Sequence, residues 1–481
     1  MIAGDTLKSW KGLQEFDKQN CPRPRQGRFF IVIYAQQLTK HGGQMGYQPY
    51  NNDEYVVRSF LDTDFYKFTM GDFIFSNPIF ADAIVTFRLK CRTKGIKLGK
   101  VIPIEHLERE LDHVMYLPPN NSEIYYLRGM DVYGDRMLSE QYLQFLRTIE
   151  LPPYKINVTT DGELELEFTG PWKSVTYWEI FALEIVNELY FRYLIKKHLT
   201  SATELSRYLM TGLTRFLDKV KIIKQHPDLI YSDFGTRRRA SAKHQEELVG
   251  IAANELPTQF RGTSNVYLAN KLNLMPIGTD AHETKMVPAG LADITSNGDR
   301  DAIRASQHEV AKNWWEKFGF GLSIALTDTY GTKSVFDTAP KELATNWKGT
   351  RQDSGDPLRY AEKTIQWYQH HGVDPLAKMI VFSDGLNVNE MVRILNYCKG
   401  RIVPTFGWGT NKTNDFEPRP DIGLIPLSLV VKPSRVSVGD QSVGLVKLSD
   451  NVAKAMGTPE DIDRYKKIFD YNERFFEPCT Y

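Results

Sequence analysis

The chain has little of what would assign its class at a glance. Only four cysteines occur in 481 residues, at positions 21, 91, 398 and 479. None forms a CxxC pair, so neither a zinc ribbon nor a disulfide scaffold is supported, and a reducing compartment is expected. Long apolar runs are missing too. The best, FFIVIYA at 29–35, has seven residues, whereas a membrane span needs about 20. Charged residues precede it and no small-residue cleavage site follows, so it is not a secretory signal. It reads as a strand or as part of a poorly ordered extension. An excess of one charge is absent as well: 60 Lys+Arg face 59 Asp+Glu, net +1. That excludes a strongly basic nucleic-acid coat or an acidic disordered tail as the main business. No repeat of 20–50 residues is found.

What is present is a globular composition, 42% hydrophobic and 12% aromatic. Its length corresponds to roughly three units, or two with one large barrel. Such a chain can bury a full core without metal or disulfide staples. Residues 1–52 differ from the rest, with seven Lys/Arg against three acids and then the polar stretch HGGQMGYQPYNND. They read as an extension prone to disorder. A transit peptide is the alternative, against which Asp5, Glu15 and Asp17 argue.

A first folded region spans 53–170. AIVTFRLK (83–90) and ELELEF (163–168) alternate as strands do. From Trp172 to Leu199 no Gly or Pro occurs, and helical spacing would put Val175, Trp178, Phe181, Ile185 and Leu189 on one buried face, with Pro171 at the helix start. From about 228 short apolar runs end in small-residue turns: LIYSDFG (229–235), SIALTDTY (323–330), MIVFSDG (379–385) and RIVPTFGWG (401–409). With helical stretches between, they predict α/β units and a parallel sheet or barrel. Chemistry gathers at the carboxyl ends of such strands, which here carry Asp233, Asp328, Asp384 and the Gly407–Gly409 turn. After 424, LSLVVK and GLVKLSD read as strands and 459–469 as a short polar helix.

Several turns hold residues suited to chemistry, each with a plainer alternative. RQDSGDP (351–357) places Asp353 in a two-carboxylate turn able to accept from a sugar diol or hold Mg²⁺ through water. Its residues are also ordinary turn formers. FGWGT (406–410) could cradle a phosphate on successive N–H groups, but GxxxxGK[ST] is absent and a plain strand-to-helix turn fits equally. In DFGTRRR (233–239) Arg237 lies nearest the turn, where a guanidinium would match a carboxylate or phosphate. Otherwise the run is a solvated face. No HRD loop, glycine loop or VAIK lysine supports a kinase. His282 in GTDAHE (278–283) is flanked by Asp280 and Glu283. An adjacent carboxylate would orient the imidazole and suit it to attack phosphorus. DTDFYKFTM (62–70) reads first as a helix start with Asp as N-cap.

Together and in this order, LDTDFYK, GPW, SDFGTRRR, RGTSN, IGTDAHE, LTDTY, RQDSGDP, FSDG and FGWGT resemble the nicotinate phosphoribosyltransferase family over residues 58–450. The resemblance implies an α/β protein, with an N-terminal α+β domain (53–170, the segment 424–481 packing on it) and an irregular α/β barrel (171–423). It implies that nicotinate is joined to 5-phosphoribosyl 1-pyrophosphate with coupled ATP hydrolysis. The products are nicotinate mononucleotide and pyrophosphate, in NAD salvage. It further implies a homodimer with shared sites, a cytoplasmic location with the nucleus beside it, and neither nucleic acid nor membrane as partner.

Carried over residue by residue, His282 resembles the phosphohistidine. Tyr66, implied to come from the partner subunit, and Phe234 resemble the pair that sandwiches the pyridine ring. Arg237, Thr279 and Arg351 match positions around nicotinate. Asp353 and Asp384 resemble the ribose-diol acceptors, and Gly407, Gly409 and Thr410 the 5-phosphate cradle. Asp328 lies near diphosphate or Mg²⁺ in the resemblance. The related nicotinamide enzyme has Asp where this chain has Ser264. An acid there would repel a carboxylate, a difference of about 1–3 kcal/mol. That enzyme's arginine near the end of the glycine turn corresponds to Asn414, and Lys412 is expected to supply the missing charge. Rival readings are a nicotinamide or quinolinate phosphoribosyltransferase, against which Ser264 and His282 argue respectively. A non-catalytic ligand-binding barrel is disfavoured because His282, Asp353 and Asp384 are in place. A nucleic-acid binder would need a basic stripe with interleaved aromatics, and only Arg237–Arg239 is offered.

Overall fold

The computed structural model describes residues 54–132 and 134–478. The extension 1–52, its FFIVIYA run, Cys21 and Cys479 lie outside them. In chain order the strands are β1 (Ile84–Cys91), β2 (Asp131–Val132), β3 (Asp135–Arg136), β4 (Tyr154–Val158), β5 (Leu164–Pro171), β6 (Tyr231–Asp233), β7 (Phe260–Thr263), β8 (Ile324–Leu326), β9 (Gly349–Gln352), β10 (Met379–Phe382), β11 (Val403–Trp408), β12 (Leu429–Val438) and β13 (Gln441–Gly444). They form an antiparallel sheet ordered β13-β12-β1-β5-β4, a parallel sheet ordered β7-β6-β11-β10-β9-β8, and the small hairpin β2-β3.

The antiparallel sheet follows from period-two patterning. In β5, Leu164, Leu166, Phe168 and Gly170 point inward while Glu165 points out, the alternation that buries one face. The β1–β12 ladder shifts register between Thr86 and Phe87, where Phe87 pairs with Pro433 and Ser434 is the extra residue. A bulge suits this point because Pro433 has no N–H to donate.

The stretch after Pro171 is not one helix. Pro171 ends β5, a short turn of helix covers Trp172–Val175, and the long helix runs Trp178–His198. Nor is it one-sided. Val175, Trp178, Phe181, Ile185 and Leu189 are fully buried, but so are Glu179, Glu184, Asn187, Glu188 and Arg192. The helix packs against β12 on one side and the 236–238 turn on another, so tertiary enclosure overrides the amphipathic expectation. Its charges survive burial only by pairing.

The parallel sheet holds the four expected strands plus two the sequence pattern hid. β7 (FRGT) and β9 (GTRQ) are short and carry no apolar run, so neither period nor length marks them. Among the described residues no ladder joins the edge strands β7 and β8. The seam is crossed by the segment 276–282. Ile277 N–H donates to Thr263 C=O at 2.9 Å, and His282 Nδ1 lies 3.0 Å from Thr329 Oγ1 beyond β8. GLVKLSD is also not a strand as expected. The ladder stops at Gly444. Leu445 N–H still donates to Ser434 C=O at 3.0 Å, after which the chain leaves the sheet and a bridge between Lys447 and Met456 closes it on itself. No helix among the described residues is long and apolar enough to cross a membrane.

Candidate active site

At the carboxyl ends of β8, β9 and β10 a buried imidazole gathers side chains from four segments. His282 is 2% exposed. Its Nε2 lies 2.9 Å from Asp353 Oδ2 and 2.8 Å from Lys447 Nζ. Asp328 Oδ1 is 3.8 Å from Nδ1. Burial first, and then the Lys447 ammonium, push the His282 pKa down to about 4, so the ring is neutral near pH 7 and keeps a lone pair on one nitrogen. Asp353 also accepts from Ser383 Oγ at 2.9 Å. Although burial opposes its charge, the His282 hydrogen bond and Arg351 hold it well below the usual carboxylate range.

The acids beside His282 in sequence do not orient it. Asp280 pairs with Lys285 and accepts from Thr284. Glu283 opens the helix Glu283–Thr295 and takes Lys67 Nζ at 2.9 Å. Glu283 is the first helical residue and Asp280 lies before the helix, so these neighbours in sequence face different partners. The carboxylates that face the ring come from residues 328 and 353.

A second group lies around Tyr66 at the start of the helix Tyr66–Phe75. Its hydroxyl donates to Glu179 Oε2 at 3.2 Å. A side chain at Gly278 would come within 2.9 Å of Tyr66 N, so glycine there permits close docking. Thr279 meets the same helix, its carbonyl accepting from Thr69 Oγ1 at 2.5 Å. Asp64 accepts from Ser264 Oγ at 2.6 Å and faces Arg237 Nε at 3.6 Å. Arg237 is raised above its usual pKa: burial works against its charge, and Tyr66, Asp64 and Glu179 outweigh it. Tyr66 thus adds to the charge environment of Arg237 in its own chain.

This end also corrects two expectations. Asp64 is no N-cap: the cap position is Phe65, without a side-chain hydrogen bond, and Asp64 instead bridges to Asn265. Ser264 does not clear the site of carboxylate, because Asp64 is bound to its hydroxyl. Asp64 itself is pushed up by burial, with Arg237 pulling the other way.

Phe234 lies on the glycine turn. Its N–H donates to Trp408 C=O at 2.9 Å, and a side chain at Gly407 would meet its ring at 2.3 Å. Packing of this ring therefore demands a glycine at 407, whatever else the turn does. Thr410 begins the single helical turn Thr410–Thr413. Arg351 Nη1 donates to Asp280 C=O at 2.9 Å. Asp384 takes the ammonium of Lys454.

Lys412 does not supply a phosphate charge. It is buried, with Nζ 3.0 Å from Asp233 Oδ1. Asn414 is buried too, donating to Arg238 C=O at 3.0 Å. The arginine run is not a solvated face either. Arg239 is fully buried and paired with Asp62 at 2.7 Å and Glu184 at 3.0 Å. Among the described residues no group of three His, Cys, Asp or Glu could hold a metal. Asp328 accepts from Ser354 Oγ at 2.5 Å and sits 3.6 Å from the Lys447 ammonium.

Sequence reasoning missed Lys447, Lys454, Thr329, Glu179 and Lys67. Lys67 had a signal, since it lies in the FYK motif. Lys447 and Lys454 had none: the first lies in a run that reads as a strand, the second in an unremarkable stretch after it.

Comparison with known proteins gives one answer. Residues 229–473 match the nicotinate phosphoribosyltransferase (NAPRTase) family, and residues 61–187 match its N-terminal domain. Among solved structures, nicotinate phosphoribosyltransferase from Porphyromonas gingivalis is 27% identical with a TM-score of 0.74, covering 86% of this chain and 100% of that one. The Vibrio cholerae enzyme of the same name is 27% identical with a TM-score of 0.74, covering 87% of this chain and 95% of its own.

Proposed function

Because the chain belongs to the nicotinate phosphoribosyltransferase family, we propose that it joins nicotinate to 5-phosphoribosyl 1-pyrophosphate with coupled ATP hydrolysis. The products are nicotinate mononucleotide, pyrophosphate, ADP and phosphate, a ligase-type step of NAD salvage. The observation that carries the reading is the neutral, buried His282 imidazole beside Asp353 and Lys447. A neutral ring nitrogen is the nucleophile that phosphoryl transfer from ATP requires, and a neighbouring ammonium offsets the charge that arrives. Phosphate on His282 would favour the conformation that binds the ribosyl donor, a linkage between two ligands.

The other roles follow from the same reading. In this reading Tyr66 and Phe234 stack on the two faces of the flat pyridine. Arg237 and Arg351 receive its carboxylate. Asp353 and Asp384 accept from the ribose hydroxyls, and Gly407, Gly409 and Thr410 line the 5-phosphate. The pyridine nitrogen is already a free nucleophile, so the site needs only to hold it near the anomeric carbon. Magnesium enters only as a companion of the diphosphate and triphosphate. A homodimer with shared sites belongs to the reading, Tyr66 of each chain reaching the site of its partner. A cytoplasmic and nuclear setting belongs to the same reading.

The test is phosphorylation with radiolabelled ATP, mass mapping of the labelled residue, and product analysis with nicotinate and with nicotinamide. Label on His282 and conversion of nicotinate are expected. Equal turnover with and without ATP overturns the coupling, and preference for nicotinamide overturns the substrate.

A further inference from the structure

A cavity of about 820 Å³ opens between the helices Thr332–Thr338 and Pro357–His370 and the segment 469–473. It shares no lining residue with the groups around Tyr66 and His282. Its volume lies in the range of small-molecule pockets, about 300–1,000 Å³. Phe336 and Trp367, stacked at 4.7 Å and 11°, form one wall, and Tyr471 lines it as well. Gly331 lies between Tyr471 and Asp450. A side chain there would come within 3.0 Å of the Tyr471 ring and 3.8 Å of Asp450 Oδ1, so glycine keeps that space clear.

The charges on the walls differ in how far they are satisfied. Lys333 is paired with Asp337. Arg359 and Lys363 share Glu473 at 3.3 and 3.6 Å, and Asp470 takes Arg300 and Arg304. Asp450 is the exception. It is 9% exposed and accepts from Thr332 N–H at 2.8 Å, with no ion-pair partner among the described residues. Burial first, and then the Asp328 charge, push its pKa up to about 6, as expected of a carboxylate taken from water without a cation. Its backbone is fixed from the other side. Asp450 N–H donates to Ser354 Oγ at 2.9 Å, and that hydroxyl donates to Asp328 Oδ2 at 2.5 Å. The carboxylate is thus held at the cavity's border and cannot swing away to solvent.

No lysine or arginine of these walls is left over for an anion. A cation, in contrast, would meet a buried carboxylate that lacks a counter-charge and aromatic rings that favour positive charge. We infer that this cavity binds a small organic ammonium, its head group on Asp450 and its apolar body against Phe336 and Tyr471. The site is separate from the proposed reaction and does not depend on it.

The test is calorimetric titration of the full chain with benzylammonium, alongside benzoate and benzyl alcohol, which keep the ring and change the charge. Benzylammonium should bind, and the other two should bind more weakly. Asp450→Asn, which keeps the acceptor for Thr332 N–H, is expected to weaken benzylammonium about tenfold or more, the loss of one charge-assisted contact. Phe336→Leu should weaken it about threefold, the loss of one aromatic face. Folded Asp450→Asn with unaltered affinity overturns the inference. So does benzoate or benzyl alcohol binding as tightly as the ammonium, or no binding of the ammonium at millimolar concentration. Displacement of benzylammonium by nicotinate would put the ligand in the site around Tyr66 and also overturns it. Should Asp450→Asn not fold, Phe336→Leu decides, at a half-buried residue, and unaltered affinity there overturns the inference. Nicotinate turnover is followed separately, and its absence would count against the proposed reaction without touching this cavity.

Discussion

The two ends of the site handle charge in opposite ways. Around Tyr66, Lys67 lies 2.8 Å from Glu179 and 2.9 Å from Glu283, and all three side chains are 2% exposed or less. Lys432 adds a second cation to Glu179. Here ions are sealed and mutually satisfied, so they fix the helix start that carries Tyr66. Around His282 the side chains of Asp353, Asp384 and Lys454 are 26%, 15% and 12% exposed, and Lys447 is divided between an imidazole and a carboxylate. These ions have partners they can exchange. The comparison teaches that burial alone does not mark function. Sealed pairs hold geometry, whereas open, shared ones are available to a ligand.

The sharpest way to break this comparison is at the sealed end. Lys67→Met leaves buried Glu283 without a cation and Glu179 with Lys432 alone, and should cost about 3–5 kcal/mol, measured by urea unfolding. A loss under 1 kcal/mol would mean the cluster is not structural. At the open end, His282→Ala should keep the fold but abolish ATP-stimulated turnover by on the order of a hundredfold, leaving a slower ATP-independent reaction, read by rate assays with and without ATP. Ser264→Asp would set a second carboxylate against Asp64. It should weaken nicotinate binding by about 1–3 kcal/mol, and unchanged kinetics with nicotinate would remove Ser264 from the specificity argument.

Smaller effects sharpen the contrast. The His282 pKa falls from 6.5 to about 4 on folding, so between these values the unfolded chain binds the extra proton. Stability should therefore be full above pH 6.5 and decline as pH falls toward 4, by up to about 1.4 kcal/mol per unit from this group. His282→Gln should flatten that slope in unfolding titrations, and an identical slope would refute it. The least effect is expected in the segment 445–456 that follows the antiparallel sheet. Asn451→Ala removes its hydrogen bonds to residue 477 and should cost about 1 kcal/mol, visible as a lowered melting temperature.

Much of the fold was legible where pattern and period agree. The alternation in 83–90 and 163–168, and the apolar runs ending at Asp233, Asp328 and Asp384, predict real strands. The candidate site was legible where motifs carry its residues, because His282, Asp353 and Arg237 sit in turns that local composition marks and Tyr66 opens a helix. Illegible were β7 and β9, too short and polar to show a period, and the orienting partners of His282. The flanking acids Asp280 and Glu283 looked right and face elsewhere.

By itself the sequence determined the strand set in outline, the family and the residues that sit at strand ends, since these depend on local pattern and on motif order. Only the tertiary structure decided which charges are spent and which remain available: Lys412 and Arg239 are buried in ion pairs, while Lys447, 165 residues from His282 in the chain, reaches its ring. Pairing depends on where chain segments cross, and electrostatic partners chosen by proximity in space leave no mark in neighbouring letters.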